Sequence, residues 1–197
     1  MKFVIATVAA LLALLALPAM SAAQQTSAAK VKALAAPEDP RQKTILVGRS
    51  EAAGIIIQFE IEPAKTMVMP MGAPLKFTEH VPAAGEVYHL EVKPIDPRSK
   101  TRISNATVVF DATNRDTAKS VKGELHPMWG GSGLHYASNS TLLGDGTYDF
   151  VITVQPPSFA RSVKDKDLFT QPASARFHFK LKGGALVEVS EAIPSPN

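Results

Sequence analysis

Apolar and polar residues alternate with a period of two along most of the chain, and this pattern constrains the fold more than any other feature. Such alternation, rich in β-branched and aromatic residues, is typical of strands that bury one face. The pattern predicts about seven strands. Six lie in segments 54–62, 86–95, 105–113, 146–155, 175–182 and 184–189, and one lies in a stretch around 119–128. Pro, Gly, Asn and Asp fill the intervals, as turns require. The sequence therefore predicts an all-β fold, an immunoglobulin-like antiparallel β-sandwich.

The N-terminus has the layout of a cleavable secretory signal peptide. Lys2 precedes an apolar run over residues 3–17, which is followed by Pro18 and by small residues ending at Ala23. The run is shorter than the roughly 20 residues that a membrane-spanning helix needs, and no later segment is apolar enough to cross a bilayer. We therefore predict a signal peptide at 1–23, cleavage after Ala23, and an exported mature chain without a membrane span.

The rest of the chain is predicted to contain a leader and one domain. Residues 24–43 are rich in Ala, Lys, Pro and polar side chains, which predicts a flexible leader, and residues 44–197 are predicted to form a single domain. The chain has no cysteine, so a packed core must hold the fold without disulfides. Removing Lys2 lowers the net charge only from +3 to +2, and the basic residues are scattered, which argues against nucleic acid as a partner.

Residues 123–139, GELHPMWGGSGLHYASN, gather two histidines, a methionine and several glycines in one short run. In an extended strand the side chains of His126 and Met128 point to the same face. The glycines at 130, 131 and 133 let the chain double back, so that His135 returns towards Met128.

A second segment, YHLEV at 88–92, places His89 and Glu91 on one face by the same alternation. Imidazole nitrogen with thioether sulfur favours copper, and a nearby carboxylate oxygen suits iron or manganese. An ordinary structural explanation also exists, because a His-x-Glu pair is often a solvated face and a methionine is often core filler. These residues alone leave metal binding open. No Ser–His–carboxylate arrangement and no Gly-rich phosphate loop occurs, so no conventional enzyme is predicted.

The chain resembles the bacterial periplasmic iron-uptake family of FetP-type proteins, soluble dimers that accompany an inner-membrane iron permease and bind copper as well as iron. The resemblance rests on YHLEV, GELHPMWGGSGLHYASN and GTYDFVITVQPPSFARSVKD, and covers residues 54–183. It implies an immunoglobulin-type fold, a periplasmic location and a homodimer with metal sites near the subunit interface. It also implies roles for five residues: copper ligands at His89, Met128 and His135, a neighbouring ligand that helps to hold iron at Glu91, and a weaker ligand at Met67.

One position departs from the pattern of that family. The loop after the strand GTYDFVITVQ usually reads Arg-His in the family and supplies a further histidine ligand, whereas this chain has Arg161 and Ser162. Conversely, His126 stands where the family has the first methionine of Met-Pro-Met. We hypothesise that His126 substitutes for the missing histidine.

The preferred interpretation is a periplasmic metal-binding protein that assists iron(II) acquisition with an inner-membrane permease, holding copper in the same or an adjoining site. A periplasmic copper carrier or copper-tolerance protein would use the same ligands, except that a dedicated soft copper site has no use for Glu91. A third alternative is a metal-free β-sandwich interaction module. Redox cycling of copper beside iron is a further hypothesis, because a mixed Met/His set can hold both copper oxidation states.

Overall fold

The computed structural model describes residues 30–191, which form twelve β-strands and one short 3₁₀ helix. The elements are β1 (Val31–Glu38), β2 (Ile45–Ala52), β3 (Ile55–Pro63), β4 (Met67–Met71), β5 (Lys76–His80), β6 (Tyr88–Ile95), β7 (Val108–Asn114), β8 (Lys119–Gly130), β9 (Gly133–Ser140), β10 (Gly146–Val154), η1 (Val163–Asp165), β11 (Ala173–Lys182) and β12 (Ala185–Ser190). The predicted signal peptide, 1–23, and the leader residues 24–29 lie outside the described residues. Within 30–191, no helix is long and apolar enough to span a bilayer.

Ten of these strands form two antiparallel sheets that share β8. The order in the first sheet is β1-β12-β11-β10-β7-β8, and in the second it is β8-β9-β6-β3-β2. β8 pairs with β7 as far as Leu125, and from His126 onward it pairs with β9. A strand that passes from one sheet to the other forms a corner of a sandwich. The prediction of an all-β, immunoglobulin-like antiparallel sandwich is therefore confirmed.

Aromatic side chains from both sheets meet in the core. Phe59 of β3 stacks on Phe150 of β10 with ring centroids 4.6 Å apart, and it lies 5.5 Å from Phe177 of β11. Along β10 buried residues alternate with half-buried ones, as the period of two predicted. β3 and β6 differ, because nearly every residue of these two strands is buried. The outward-facing side chains of these two strands are therefore buried as well, although they are polar.

The prediction of a flexible leader is wrong for residues 31–38, which form β1. This strand pairs with β12, with Val31 opposite Ser190 and Ala33 opposite Glu188. Most of its side chains are exposed, so backbone hydrogen bonds to the edge of the sheet hold it in place. The composition of a segment reflects how much apolar surface it can bury, so it gives no signal for a strand that backbone hydrogen bonds hold in place.

β4 and β5 form a separate hairpin between β3 and β6. Its base is anchored to β9, because the Asn139 side chain accepts a hydrogen bond from the backbone N–H of Lys65 at 3.2 Å and donates one to the Lys65 carbonyl at 2.8 Å. The hairpin and its flanks expose six large apolar side chains, which we name the hairpin surface: Val68, Met71, Leu75, Phe77, Val81 and Val87.

The long connection between β10 and β11, residues 155–172, is ordered by the guanidinium group of Arg161. Its acceptors include the carbonyl oxygens of Pro157, Leu168 and Phe169, at 3.2, 2.6 and 3.0 Å. Ser162, at the position where the family resemblance implies a histidine, caps η1 by accepting a hydrogen bond from the Asp165 N–H at 3.2 Å. Ser162 therefore has a structural role at the start of this helix.

An Arg161→Ala substitution is expected to loosen this loop without unfolding the sandwich. Hydrogen bonds to a charged group contribute more than neutral ones, so we expect the free energy of unfolding to fall by about 1–3 kcal/mol. Hydrogen exchange followed by mass spectrometry should accelerate in 155–172 and stay unchanged in β10 and β11. Equal loss of protection in the loop and in both strands would contradict a local role for this arginine.

Candidate metal centre

Polar side chains of four neighbouring strands line the outer face of the second sheet. The register of β3, β6, β9 and β8 arranges them in rows across the strands. The first row is Glu62, His89 and Asn139, the second is Glu60, Glu91, Ala137 and His126, and a third pairs His135 with Met128. Directly paired residues lie on the same face of a sheet, so these side chains share one surface. We name this surface the polar strip.

His89 is fully buried in the polar strip. Its Nδ1–H donates a hydrogen bond to Asn139 Oδ1 at 2.9 Å, which leaves Nε2 as the ring atom with a lone pair. Within residues 30–191, His89 Nε2 has no hydrogen-bond donor, and it lies 3.9 Å from Glu62 Oε1. Burial lowers the pKa of His89, and the hydrogen bond to Asn139 only partly opposes this effect. The ring is therefore neutral at neutral pH, the form that binds metals.

His135 presents a second buried imidazole nitrogen. Its Nδ1–H donates to the carbonyl oxygen of Gly133 at 2.8 Å, and in the described chain its Nε2 has no partner. This Nε2 lies 3.8 Å from Glu91 Oε2, and the ring stands edge to face with that of His89, with centroids 6.5 Å apart. Both ring nitrogens that carry a lone pair are therefore held beside carboxylates.

The glycine turn brings Met128 and His135 together, as the sequence indicated. The two residues are direct partners across β8 and β9. Gly133 has a φ of 80°, a conformation that favours glycine, and a Cβ on Gly130 would lie only 3.1 Å from the His135 ring. The glycines thus allow both the reversal of the chain and the close approach of the imidazole.

Glu91 is a buried carboxylate that stays ionised. Burial alone would raise its pKa, but hydrogen bonds from neighbours that include Lys93 and Ser132 lower the pKa to about 2. Ser132 Oγ donates to Glu91 Oε1 at 2.8 Å, and Lys93 Nζ lies 2.7 Å from the same oxygen. Glu91 Oε2, by contrast, faces His135.

Two further carboxylates of the polar strip, Glu60 and Glu62, were missed by sequence reasoning. Glu62 is buried, accepts a hydrogen bond from Thr44 Oγ1 at 3.0 Å, and forms an ion pair with Lys65. Burial raises the pKa of Glu62, and the ion pair with Lys65 opposes that shift. The available signal was the alternation in QFEIE, which puts both carboxylates on one face of a strand next in space to YHLEV.

The remaining predicted ligands are Met128, His126 and Met67, and they differ in burial and in the strand residues that they pair with. Met128 is half-buried beside His135, whereas His126 is exposed and is separated from Glu91 by Ala137 of β9. Met67 is buried but belongs to the β4–β5 hairpin, where it is paired with His80. The structure thus brings His89, Glu91 and His135 together, with Met128 beside them. The ligand roles of all six residues stay predictions.

The donors of the polar strip fit a metal ion that accepts nitrogen, sulfur and oxygen. A buried polar atom without a partner costs about 1–3 kcal/mol, so the two imidazole nitrogens lower the free energy of unfolding when no ligand is bound. Among residues 30–191, no group of three or more His, Asp or Glu side chains is placed so that it could hold a metal ion. The Met128 thioether, which is adjacent, is a soft donor of the kind that copper accepts.

An Asn139→Ala substitution is expected to weaken metal binding although Asn139 is not a predicted ligand. It removes the group that orients His89 and the anchor of Lys65 at the base of the hairpin. Loss of such an orienting partner lowers metal affinity by about 10–100-fold. Isothermal titration with copper measures the effect. Asn139→Asp is the matched control, since it keeps an oxygen acceptor for His89, and this variant should bind copper at least as tightly as the wild type. Equal copper affinities of the alanine and aspartate variants would contradict an orienting role.

The fold and the polar strip define a class of protein, an antiparallel sandwich whose outer sheet face gathers imidazole, thioether and carboxylate groups. The sequence profile of the family described as "Fe2+ transport protein" matches residues 79–183, just over half of the 197 residues. The chain belongs to this family. The family predicted from the motifs YHLEV and GELHPMWGGSGLHYASN is therefore confirmed.

Proteins with known sequences and structures extend the comparison. UPF0423 proteins from Brucella abortus, Brucella suis and Brucella melitensis are 29% identical over 166 residues, covering 75% of this chain and 84% of theirs. FetP of uropathogenic Escherichia coli strain F11 superposes with a TM-score of 0.59 at 21% identity, covering 71% of this chain and 96% of FetP. Copper-reconstituted P19 of Campylobacter jejuni gives a TM-score of 0.60 at 20% identity, covering 72% and 98%. These structures share the fold of this chain.

Proposed function

We propose that this protein is a periplasmic metal-binding protein that assists iron(II) acquisition and holds copper in the same or an adjoining site. The observation that carries the proposal is a pair of buried imidazole nitrogens, on His89 and His135, that have no partner among residues 30–191 and lie near the ionised carboxylate of Glu91. Membership of the Fe2+ transport family supports iron as a cargo. Copper-bound structures of P19 and FetP, which share the fold, support copper as the second ion.

The donor atoms divide between the two metals by their chemistry. His89, His135 and Met128 supply nitrogen and sulfur, the set that copper prefers, and the oxygen of Glu91 suits iron(II). Met67 is proposed as a weaker ligand at the edge of the site. The family description names transport of Fe2+ and no reaction, and we expect no conventional enzymatic activity from these residues.

A melting experiment tests metal binding directly. Ligands that bind only the folded state stabilise it by about 2.7 kcal/mol at 100 times the dissociation constant. Copper(I), iron(II) and manganese(II), each added anaerobically in turn, are followed by circular dichroism. Copper(I) is expected to raise the melting temperature by about 5–10 °C, the shift that such a free energy gives in a domain of this size. No shift with any of the three ions would favour the metal-free interaction module.

A copper carrier or copper-tolerance protein is the second candidate function, because the soft donors alone would suffice for it. Glu91→Gln separates the two candidates. If iron(II) is a cargo, the substitution should weaken iron(II) binding by about tenfold or more and affect copper(I) much less, because copper(I) binds soft donors. Competitive titration of both ions against the wild type and the variant measures the difference. Unchanged iron(II) affinity would favour the carrier.

His126 is proposed as the chain-specific additional ligand in place of the histidine absent at Ser162. Its position on the face that also carries Met128 supports this, although its side chain is exposed. His126→Ala is expected to shift the copper(II) absorption spectrum and to lower copper affinity. Unchanged affinity together with an unchanged spectrum would leave a site with fewer protein ligands that takes up water.

We also propose that the protein is exported, forms a homodimer and works with an inner-membrane iron permease. The hairpin surface and the side chain of Trp129, which is 81% exposed, support a dimer because large exposed apolar patches mark interaction sites such as protein–protein interfaces. Sedimentation equilibrium of the purified protein tests the dimer. A monomer at micromolar concentration, with and without copper, would contradict it.

A further inference from the structure

Lys93 is a buried lysine that lies between two carboxylates of the polar strip. Only 5% of the residue is exposed. Its Nζ lies 2.5 Å from Glu60 Oε2 and 2.7 Å from Glu91 Oε1. Lysine is almost never buried unless it is paired, so these contacts account for its position. The ammonium group thus occupies the space between two carboxylates, a place where a hard metal ion would also be stable.

The contact with Lys93 determines which oxygen of Glu91 is available. Glu91 Oε1 already accepts a hydrogen bond from Ser132 and contacts the ammonium of Lys93. Glu91 Oε2 remains, 3.8 Å from His135 Nε2. A metal ion held by His135 can therefore reach Glu91 through one oxygen. Binding through both oxygens, which larger hard ions commonly use, requires the ammonium to leave.

Lys93 also adds one positive charge beside the candidate ligands. Repulsion between this charge and a bound ion is proportional to the charge of the ion, so a divalent ion is penalised twice as much as a monovalent one. The effect is large because the strip is buried, where charges are poorly screened. Geometry and charge therefore act in the same direction, against a hard divalent ion.

We propose that Lys93 is a specificity-determining residue, a built-in cation that occupies the place of a hard divalent ion between Glu60 and Glu91 and so favours copper(I) over iron(II) or manganese(II). This inference rests on the proposed function of the polar strip as a metal site. With Lys93 in place, the polar strip binds copper(I) more tightly than iron(II) or manganese(II). Iron(II) is held more weakly while the ammonium is in place, and a weakly held ion is readily passed on.

Lys93→Met tests the proposal, because it removes the charge and keeps a long unbranched side chain. Lys122→Met is the matched control, since Lys122 forms an exposed ion pair with Asp111 on the first sheet. Manganese(II), an air-stable hard ion, is titrated by the paramagnetic resonance signal of the unbound ion. Copper(I) is titrated against a chromophoric chelator. Both measurements use the mature chain, residues 24–197.

The expected result is a change in selectivity. Lys93→Met should raise manganese(II) affinity by about tenfold or more, and copper(I) affinity by roughly the square root of that factor. Lys93→Arg, which keeps the charge, should bind manganese(II) as weakly as the wild type. Lys122→Met should change neither affinity. If Lys93→Met does not fold, the double variant Glu60→Gln with Lys93→Met removes one charge of each sign and the ammonium contact with Glu91 Oε1, so it should bind manganese(II) more tightly than Glu60→Gln alone.

Two outcomes would overturn the inference in different ways. If the wild type binds copper(I) but Lys93→Met binds manganese(II) no more tightly than the wild type, or the double variant no more tightly than Glu60→Gln, the role of Lys93 is wrong and the proposed function stands. If the wild type binds neither ion, the proposed function is wrong and the inference falls with it.

Discussion

Replacing His135 with leucine is expected to lower copper(I) affinity by at least about a hundredfold, because even a lost orienting group costs 10–100-fold and His135 is a proposed ligand itself. The metal-free variant should nevertheless melt no lower than the metal-free wild type. Within residues 30–191 the buried imidazole Nε2 has no partner, so an apolar side chain of similar volume removes an unfavourable group, and this gain offsets the loss of the hydrogen bond from Nδ1–H to the Gly133 carbonyl. Chelator competition and thermal melting measure the two quantities.

The combination of lost binding and retained stability separates a ligand from a structural histidine. His80→Ala is the matched control, because His80 is an exposed imidazole on the β4–β5 hairpin and its loss should leave copper(I) affinity unchanged. His178 offers a contrast on the first sheet, where it is buried and its Nδ1 contacts the Asp149 carboxylate. Its replacement should lower stability and leave binding intact. An His135→Leu variant with wild-type affinity would exclude the site as described.

The period of two predicted much of the fold because this sandwich buries one face of most strands. Leu90 and Val92 face the core while His89 and Glu91 face outward, as the alternation in YHLEV indicated. The hairpin of β8 and β9 was likewise predicted from its glycines. β1 was not predicted, since it depends on backbone pairing with β12 and buries little apolar surface.

The polar strip was only partly predictable, because burial of an outer face cannot be deduced from alternation. A polar residue on an outward face is normally solvated, yet His178, which alternates with Phe177 and Phe179, is buried against Asp149. Lys93 and Glu60 likewise have the spacing of an ordinary wet face. Their ion pair depends on which strands are neighbours, and β3 and β6 become neighbours only through the tertiary fold.

Phe59→Ala is expected to cause the largest loss of stability, about 3–5 kcal/mol in the free energy of unfolding. Phe59 is fully buried and joins the two layers of the sandwich, because its ring contacts Phe150 and Phe177 of the opposite sheet. Urea denaturation followed by fluorescence and circular dichroism measures the effect. Phe77→Ala is the control, since Phe77 is 69% exposed on the hairpin, and exposed substitutions usually change stability by less than about 0.5 kcal/mol.

The same substitution tests whether the core and the polar strip depend on each other. Phe59 lies between Glu60 and Gln58 on β3, so its side chain fills the core while its neighbours point into the strip. The backbone hydrogen bonds of β3 with β2 and β6 should keep the carboxylates in place after the ring is lost. Copper(I) affinity of the folded Phe59→Ala variant, measured without denaturant, should therefore stay within about threefold of the wild type, because residues without shared partners contribute nearly independently. A loss as large as that of His135→Leu would show that the core, and not only the register of the strands, fixes the positions of the ligands.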